Sequence, residues 1–387
     1  MVKIATLNKI SPVGLACLTN DYAITGNVEE AAGILVRSQD MTDMAFSKEL
    51  LAIARAGAGV NNIPLERCAN EGIVVFNTPG ANANAVKELV LAGLLLSARN
   101  LFSGLNWACT LTDEVGKCVE KGKAQFAGTE IKGKTLGVIG LGAIGIAVAN
   151  SAEALGMHVI GFDPFITWKA AHGLSNTVTV ASNLEQLLPK CDYITIHVPS
   201  MAETKGMMNK ERFAQMKNGA VILNFSRDNL VNDKDLLDAL AEGKLGRYVT
   251  DFPNDALINK ENVISIPHLG ASTEEAEDNC AEMAVLEIMD YLENGNITNS
   301  VNYPDSAMGD FVPGTGLRIC ILNKNIPSIL EKITGILGEA GVTIKDLLNK
   351  NKGDFGVTMI DIEAGPDVAA LTGKLAVEGI IKARILK

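Results

Sequence analysis

Two groups of residues in this chain have the types and spacing to do chemistry. The first is Gly140, Gly142 and Gly145, in G-x-G-x-x-G spacing, followed eighteen residues after the last glycine by Asp163. An apolar run from Leu136 to Ile139 enters the glycines, an Ala-rich helical pattern follows, and a second apolar run ends on the acid. That order is strand, tight turn, helix, strand and carboxylate, the arrangement of a dinucleotide site. Gly140 permits the turn, Gly142 lets the backbone approach a pyrophosphate, and Gly145 lets the helix close on its strand. The helix start, at Ala143 and Ile144, receives the phosphate charge. Asp163 is placed to accept hydrogen bonds from a ribose diol, and its charge repels the extra phosphate of NADP. NAD is therefore the expected cofactor.

The second group serves the reaction such a cofactor supports. Hydride transfer from an alcohol needs a base for the hydroxyl proton, a cation for an anionic substrate, and a dry pocket. The chain has four histidines. His158 opens a strand, His172 precedes a glycine in a turn, and both read as structural or solvated. His197 ends a strand in HVPS and is expected on the cofactor side, with Val198, Pro199, Thr204 and Ser226. His268, in IPHLGAST at the end of the last strand of the nucleotide-binding pattern, is the strongest candidate base. A catalytic imidazole needs an orienting carboxylate, and Asp255 and Asp251 in TDFPND stand thirteen and seventeen residues upstream. Arg227, in LNFSRDN, follows a fully apolar strand and has the fork suited to bidentate recognition of a carboxylate.

Composition narrows the setting. At 387 residues the chain is too long for one ordinary core, and two or three domains are expected. A net charge of −11 argues against a nucleic-acid partner, since no basic stripe is available to release phosphate counterions. An anionic substrate must then find a local positive patch, which makes individual arginines informative. Seven scattered cysteines without a C-x-x-C pair suit reduced thiols in a cytoplasm, not disulfides or a metal site. The first residues, MVKIATLNKI, alternate like a strand and lack the apolar run of a signal peptide. Leu89 to Leu96 is too short to span a bilayer, so no membrane partner is expected.

Several elements must position these residues. Up to about Ala98 the runs GILVRS, LLAIARAG, PLERCANEG and IVVFNTPG form an α/β pattern that reads as a domain of its own. After Asp163, Ser182 with Glu185 forms a capping box for a helix, and CDYITIHVP, GAVILNFS, GRYVTDF and NVISIPH continue the strands. Each ends in polar residues, where doubly wound sheets bind ligands. Ser272 with Glu275 forms a second capping box, opening a helix to about Glu293. NGNITNSVNYPDSAMGDFVPGTG, without periodicity, reads as a linker. The rest gives β-α-β-β-α-β, a small ferredoxin-like domain.

Arg227, an acid in TDFPND and His268 in PHLGAS, after GLGAIG and HVP, resemble the D-2-hydroxyacid dehydrogenases, and the C-terminal segment looks like an ACT domain. The resemblance implies an α/β protein in which a Rossmann dinucleotide-binding domain (98–270) is inserted in a flavodoxin-like substrate domain (1–97 and 271–306), with the ACT-like domain at 316–387. It implies that Arg227 binds the substrate carboxylate and carbonyl, that His268 accepts the proton, and that Asp255 takes the orienting position, usually a glutamate. It places Asp251 near the nicotinamide amide. Arg37, Ser38 and Arg55 are similar to positions that hold a phosphate or carboxylate end, Ala58 and Gly59 offer backbone N–H groups, and Asn82 lies on the substrate-facing loop. The expected ligand is a small anionic, phosphorylated hydroxy acid. Another small 2-oxo acid such as hydroxypyruvate or glyoxylate, and a non-catalytic NADH sensor, are the alternatives. At least a homodimer is implied, with the segment from Arg99 to Gly128 as the contact. In the ACT-like domain the effector turn keeps Asn325 and Pro327 but is altered at Asn323, Ser328 and Thr343. Ser328 is expected to cap its helix with Glu331, and serine to inhibit weakly or not at all.

Overall fold

The computed structural model describes residues 1–363 and 368–386, with the backbone alone at 169 and 368–370. Asp367 and Lys387, which the sequence reading places in the ACT-like domain, lie outside the described residues. The chain divides into two compact units, Met1–Asn82 with Glu277–Lys387, and Ala83–Ala276.

In the first unit β1 (Val2–Leu7), β2 (Tyr22–Thr25), β3 (Gly33–Val36), β4 (Ala52–Arg55) and β5 (Val74–Asn77) form a parallel sheet in the order β2-β1-β3-β4-β5. From residue 277 the helix Glu274–Asn294 lays Ala281, Ala284, Val285 and Ile288 into a core with Ile4, Val74 and Phe76. Residues four and three apart share that face, which is why an acidic helix still buries a stripe.

The second unit holds β6 (Thr135–Ile139), β7 (His158–Phe162), β8 (Thr179–Val180), β9 (Tyr193–Ile196), β10 (Ala220–Asn224), β11 (Leu245–Thr250) and β12 (Val263–Ser265), in the order β12-β11-β10-β9-β6-β7-β8, all parallel. β9 and β10 are buried along their whole length, as strands covered on both faces must be. The helix Ala83–Ala98 buries Val86, Val90 and Leu94 in the same core as Val138, Leu223 and Val249. Strand order reverses between β6 and β9, so the crevice at their carboxyl ends is the topological switch point.

β13 (Leu317–Lys324), β14 (Ile344–Lys352), β15 (Phe355–Ile362) and β16 (Ile380–Leu386) form an antiparallel sheet in the order β14-β15-β13-β16, with two helices, so the predicted β-α-β-β-α-β is present. Side chains alternate across it. Ile319, Ile321 and Ile360 meet Ile333, Leu337 and Leu371 on the helical face. Cys320, Leu322, Val357 and Met359 join Tyr291 and Leu292 of the long helix on the other.

Five local expectations are corrected. The cap before the helix Leu184–Leu187 is Asn183, which accepts from the Gln186 N–H at 3.0 Å, while Gln186 reaches back to the Ser182 N–H at 3.2 Å; the box sits one residue later than Ser182 with Glu185. Thr273, not Ser272, opens the long helix by accepting from the Ala276 N–H at 3.1 Å. Ser328 makes no capping hydrogen bond, because its backbone is left-handed at φ +59° and carries the hydroxyl away from the helix N–H groups. His172 lies in the helix Trp168–Gly173, with its ring against Trp168, and not in a turn. The segment read as a linker is an ordered strap: Asn302 accepts from the Val75 N–H and donates to the Ile73 carbonyl, both at 2.9 Å, and Tyr303 is fully buried with its hydroxyl on the Ala69 carbonyl at 2.6 Å. Its polar side chains supply the pairing that a strand's backbone would otherwise supply. No single helix among the described residues is long and apolar enough to cross a membrane.

Candidate active site

The glycine turn is built as its spacing demands. Gly140 has φ +94°, and a Cβ there would meet the His197 carbonyl oxygen at 2.4 Å. A Cβ on Gly145 would lie 1.9 Å from the Gly140 carbonyl oxygen, so helix and strand approach as closely as backbones can. Around Gly142, by contrast, a Cβ would meet nothing within 4 Å. The space is open, and Gly142 is the N-cap of the helix Ala143–Ala154, whose first N–H groups have no acceptor within the helix. An open cradle over a helix N-terminus fits a pyrophosphate. At the end of β7, Asp163 accepts from the Leu141 N–H at 2.9 Å and the Phe165 N–H at 2.8 Å, which locks a carboxylate onto the turn.

Across the switch point, His197 follows β9. Its Nε2 lies 2.8 Å from the Thr195 hydroxyl, its Nδ1 is buried without a partner, and burial lowers its pKa to about 3. The ring is therefore neutral at physiological pH and is no proton acceptor from a substrate. Ser226 donates to the Val198 carbonyl at 2.7 Å, and Thr204 donates to the Pro199 carbonyl at 2.6 Å, so these two hydroxyls hold the loop after β9.

Arg227 follows β10 with exposed side chain and extended backbone, its Nη1 on the Ser226 carbonyl at 2.6 Å. Its main chain is held from below by Asn224, a fully buried residue. The Asn224 amide donates to the Arg227 carbonyl at 2.8 Å and to the Tyr248 hydroxyl at 3.1 Å, and its oxygen accepts from the Ser226 N–H at 3.2 Å. The neighbouring Asp228 turns to the Asn229 N–H at 2.8 Å. Sequence reasoning missed Asn224; a polar residue ending the apolar run AVILN was the available signal.

His268 is exposed, has a left-handed backbone at φ +51°, and packs its ring 4.9 Å from that of Phe252. The loop that carries it is gripped by Asp251, whose two carboxylate oxygens accept from the Leu269 and Gly270 N–H groups, each at 2.7 Å. Asp251 is 1% exposed, and desolvation raises its pKa against the pull of those two bonds and of the nearby imidazole. Asp255 is exposed and, among the described residues, is not joined to His268 by a hydrogen bond or ion pair. The hydrogen bonds that grip the histidine loop come from Asp251.

In the first unit Arg55 and Asn77 are register partners at the carboxyl ends of β4 and β5, and Arg37 follows β3 directly after Val36, the register partner of Arg55. Arg55 Nε donates to the Arg37 carbonyl at 3.1 Å, and the Arg37 guanidinium pairs with Glu277 at 2.7 Å. The Ser38 N–H is taken by Asn8 at 3.0 Å. Asn77 donates to the Ala58 carbonyl at 2.6 Å, shaping the turn that contains Ala58 and Gly59. Asn82 is partly buried and ends this segment of the unit.

Residues 94–270 match the family model of the D-isomer specific 2-hydroxyacid dehydrogenase NAD binding domain. The D-3-phosphoglycerate dehydrogenase of Haemophilus influenzae is 35% identical over 349 residues, covering 87% of this chain and 82% of that protein. The chain belongs to the D-isomer specific 2-hydroxyacid dehydrogenase family. The D-3-phosphoglycerate dehydrogenase of Rattus norvegicus is 36% identical over 288 residues, 72% of this chain but 52% of the relative, so the chain spans about half the length of such relatives. Among solved structures, the NAD+-bound 3-phosphoglycerate dehydrogenase of Entamoeba histolytica matches with a TM-score of 0.62 and 27% identity, covering 78% of this chain and 98% of that one. The glycine turn, Asp163, Arg227 and His268 all fall within the NAD-binding domain of this family.

Proposed function

We propose that this dehydrogenase oxidises D-3-phosphoglycerate to 3-phosphohydroxypyruvate, the entry to the phosphorylated route to serine, in the cytoplasm and as a homodimer or larger oligomer. Bound NAD would supply the hydride acceptor, and the open space over Gly142 beside the Asp163 carboxylate supports its fit. His268 takes the hydroxyl proton as the C–H hydride leaves, and Arg227 holds the substrate carboxylate. Asp251 positions His268 by fixing the backbone that follows it, which replaces the orienting role first assigned to Asp255. The first unit, with the 2-1-3-4-5 order of flavodoxin-like sheets, serves as the substrate domain, and Arg37 and Arg55 take the phosphate. The ion pair with Glu277 is about two-fifths exposed on both sides, and such a pair is worth at most about 1 kcal/mol, so a phosphate dianion displaces it. Leu101, Phe102 and Leu105, exposed on the helix Leu101–Ala108, suit the dimer contact.

The observation that carries the reading is the pair of arginines at adjacent strand ends. In Arg55→Ala and Arg37→Ala the KM for 3-phosphohydroxypyruvate rises at least tenfold while turnover of unphosphorylated hydroxypyruvate changes little. Equal losses on both substrates would remove the phosphate role. A second reading, reduction of hydroxypyruvate or glyoxylate, draws on the Arg37–Glu277 pair, which already neutralises one of the two cations.

A further inference from the structure

Beside the loop that carries Asn82, the first unit has an open cavity of about 720 Å3, walled by Gly80 and Ala81 on one side and by one face of the long helix on the other. Three carboxylates line it, Glu282, Glu287 and Asp290, and no basic side chain does. Two of the three are distinguishable by their partners. Asp290 is committed, its Oδ1 accepting from the side chains of Asn294 at 2.9 Å and Asn296 at 2.8 Å. Glu287 is 8% exposed, and its Oε1 accepts from Asn299 at 2.8 Å, but its Oε2 is buried with no partner. A buried acceptor left open at a cavity wall costs about 1–3 kcal/mol, which a donor entering the cavity would recover.

We propose that this cavity binds a small organic ammonium, its NH3+ on the free oxygen of Glu287 and its alkyl chain along Met283 and Leu286. The chemistry of the wall selects this class. One free oxygen suits a point charge with rotatable donors, whereas a guanidinium asks for two oxygens in a plane. A zwitterionic amino acid meets Glu282 and Asp290 with no basic side chain to take its carboxylate. Among the described residues no three His, Cys, Asp or Glu side chains are grouped to hold a metal ion. Burial raises the Glu287 pKa to about 8, with Asp305 adding to the rise and Asn299 opposing it; Glu282 and Asp290 are the other charged groups at the wall. The ammonium binds the ionised form, so it draws a proton off Glu287 as it enters below that pH.

Titration calorimetry of the full chain with putrescine tests the site. Saturable binding is expected at pH 8.5, weakening roughly twentyfold at pH 6.5, the ratio of ionised fractions for a carboxyl at about 8. Glu287→Gln, which keeps shape and the Asn299 bond, weakens binding at least tenfold. Leu286→Lys, on a half-exposed position, places its own ammonium in the groove and abolishes binding without touching the buried glutamate. Magnesium chloride and serine do not displace putrescine. Absence of saturable binding, equal affinity in Glu287→Gln with folding intact, or displacement by magnesium or serine would overturn the proposal.

Discussion

His268 and the two aspartates upstream show what a residue's type conveys and what it withholds. A histidine at a strand end, with acids nearby in sequence, reads as a candidate base. Which acid braces its loop was not legible, because Asp251 reaches that loop through backbone N–H groups that any sequence possesses. Asp251→Asn replaces one acceptor by a donor, so either Leu269 or Gly270 loses its partner at a cost of about 1–3 kcal/mol. Turnover should fall at least tenfold and the acid limb of the rate profile should move, while Asp255→Asn, altering an exposed carboxylate without partners, leaves both in place. A displaced profile in Asp255→Asn alone would return the role to that residue. Asp163 braces Leu141, and in the proposed function the same carboxylate repels a 2′-phosphate. Asp163→Ala should lower NAD affinity and bring the NAD-to-NADP preference toward unity, as measured by the ratio of kcat/KM for the two cofactors; an unchanged ratio would contradict the assignment.

Elements were legible where local pattern decides them. The strands of both parallel sheets and the β-α-β-β-α-β order follow from apolar runs between polar ends. Caps were displaced by one residue at Asn183 and Thr273, since adjacent side chains of similar capping strength compete and the tertiary path of the chain decides. The strap after the long helix was unreadable for a different reason: the partners of Asn302 are Val75 on β5 and Ile73 just before it, 227 and 229 residues away, and polar composition does not announce a distant edge. Within the glycine turn the three positions separate function from fold. Gly145→Ala drives a methyl into the Gly140 carbonyl and should destabilise the unit by several kcal/mol, seen as a fall in Tm of many degrees or loss of soluble protein. Gly142→Ala meets only open space, so Tm holds while NAD affinity, read by calorimetry, drops at least tenfold. Preserved affinity in Gly142→Ala would mean that the cradle is elsewhere.

For the whole molecule, the net charge of −11 makes the arginines after β3 and at the end of β4 stand out as the proposed phosphate site, and basic side chains are also spent on fastening the C-terminal sheet. Arg318, 2% exposed, pairs bidentately with Asp361 and donates to the Asn294 and Gly309 carbonyls. Arg384 donates to the Tyr291 and Leu292 carbonyls, and Lys382 to that of Leu50. A sheet covered by helices on one face and by its own unit on the other has little freedom to respond to a small effector. Serine at millimolar concentration should leave the steady-state rate unchanged, and half-maximal inhibition in the micromolar range would show a working effector site. The central claim is an NAD-dependent dehydrogenase that selects a phosphorylated substrate, and one measurement addresses it most directly: NADH oxidation with 3-phosphohydroxypyruvate, hydroxypyruvate and glyoxylate in parallel on the same preparation. A kcat/KM for the phosphorylated acid at least a hundredfold above the other two, an advantage of about 2.7 kcal/mol, is the predicted result. Equal rates on all three, or preference for glyoxylate, would contradict it.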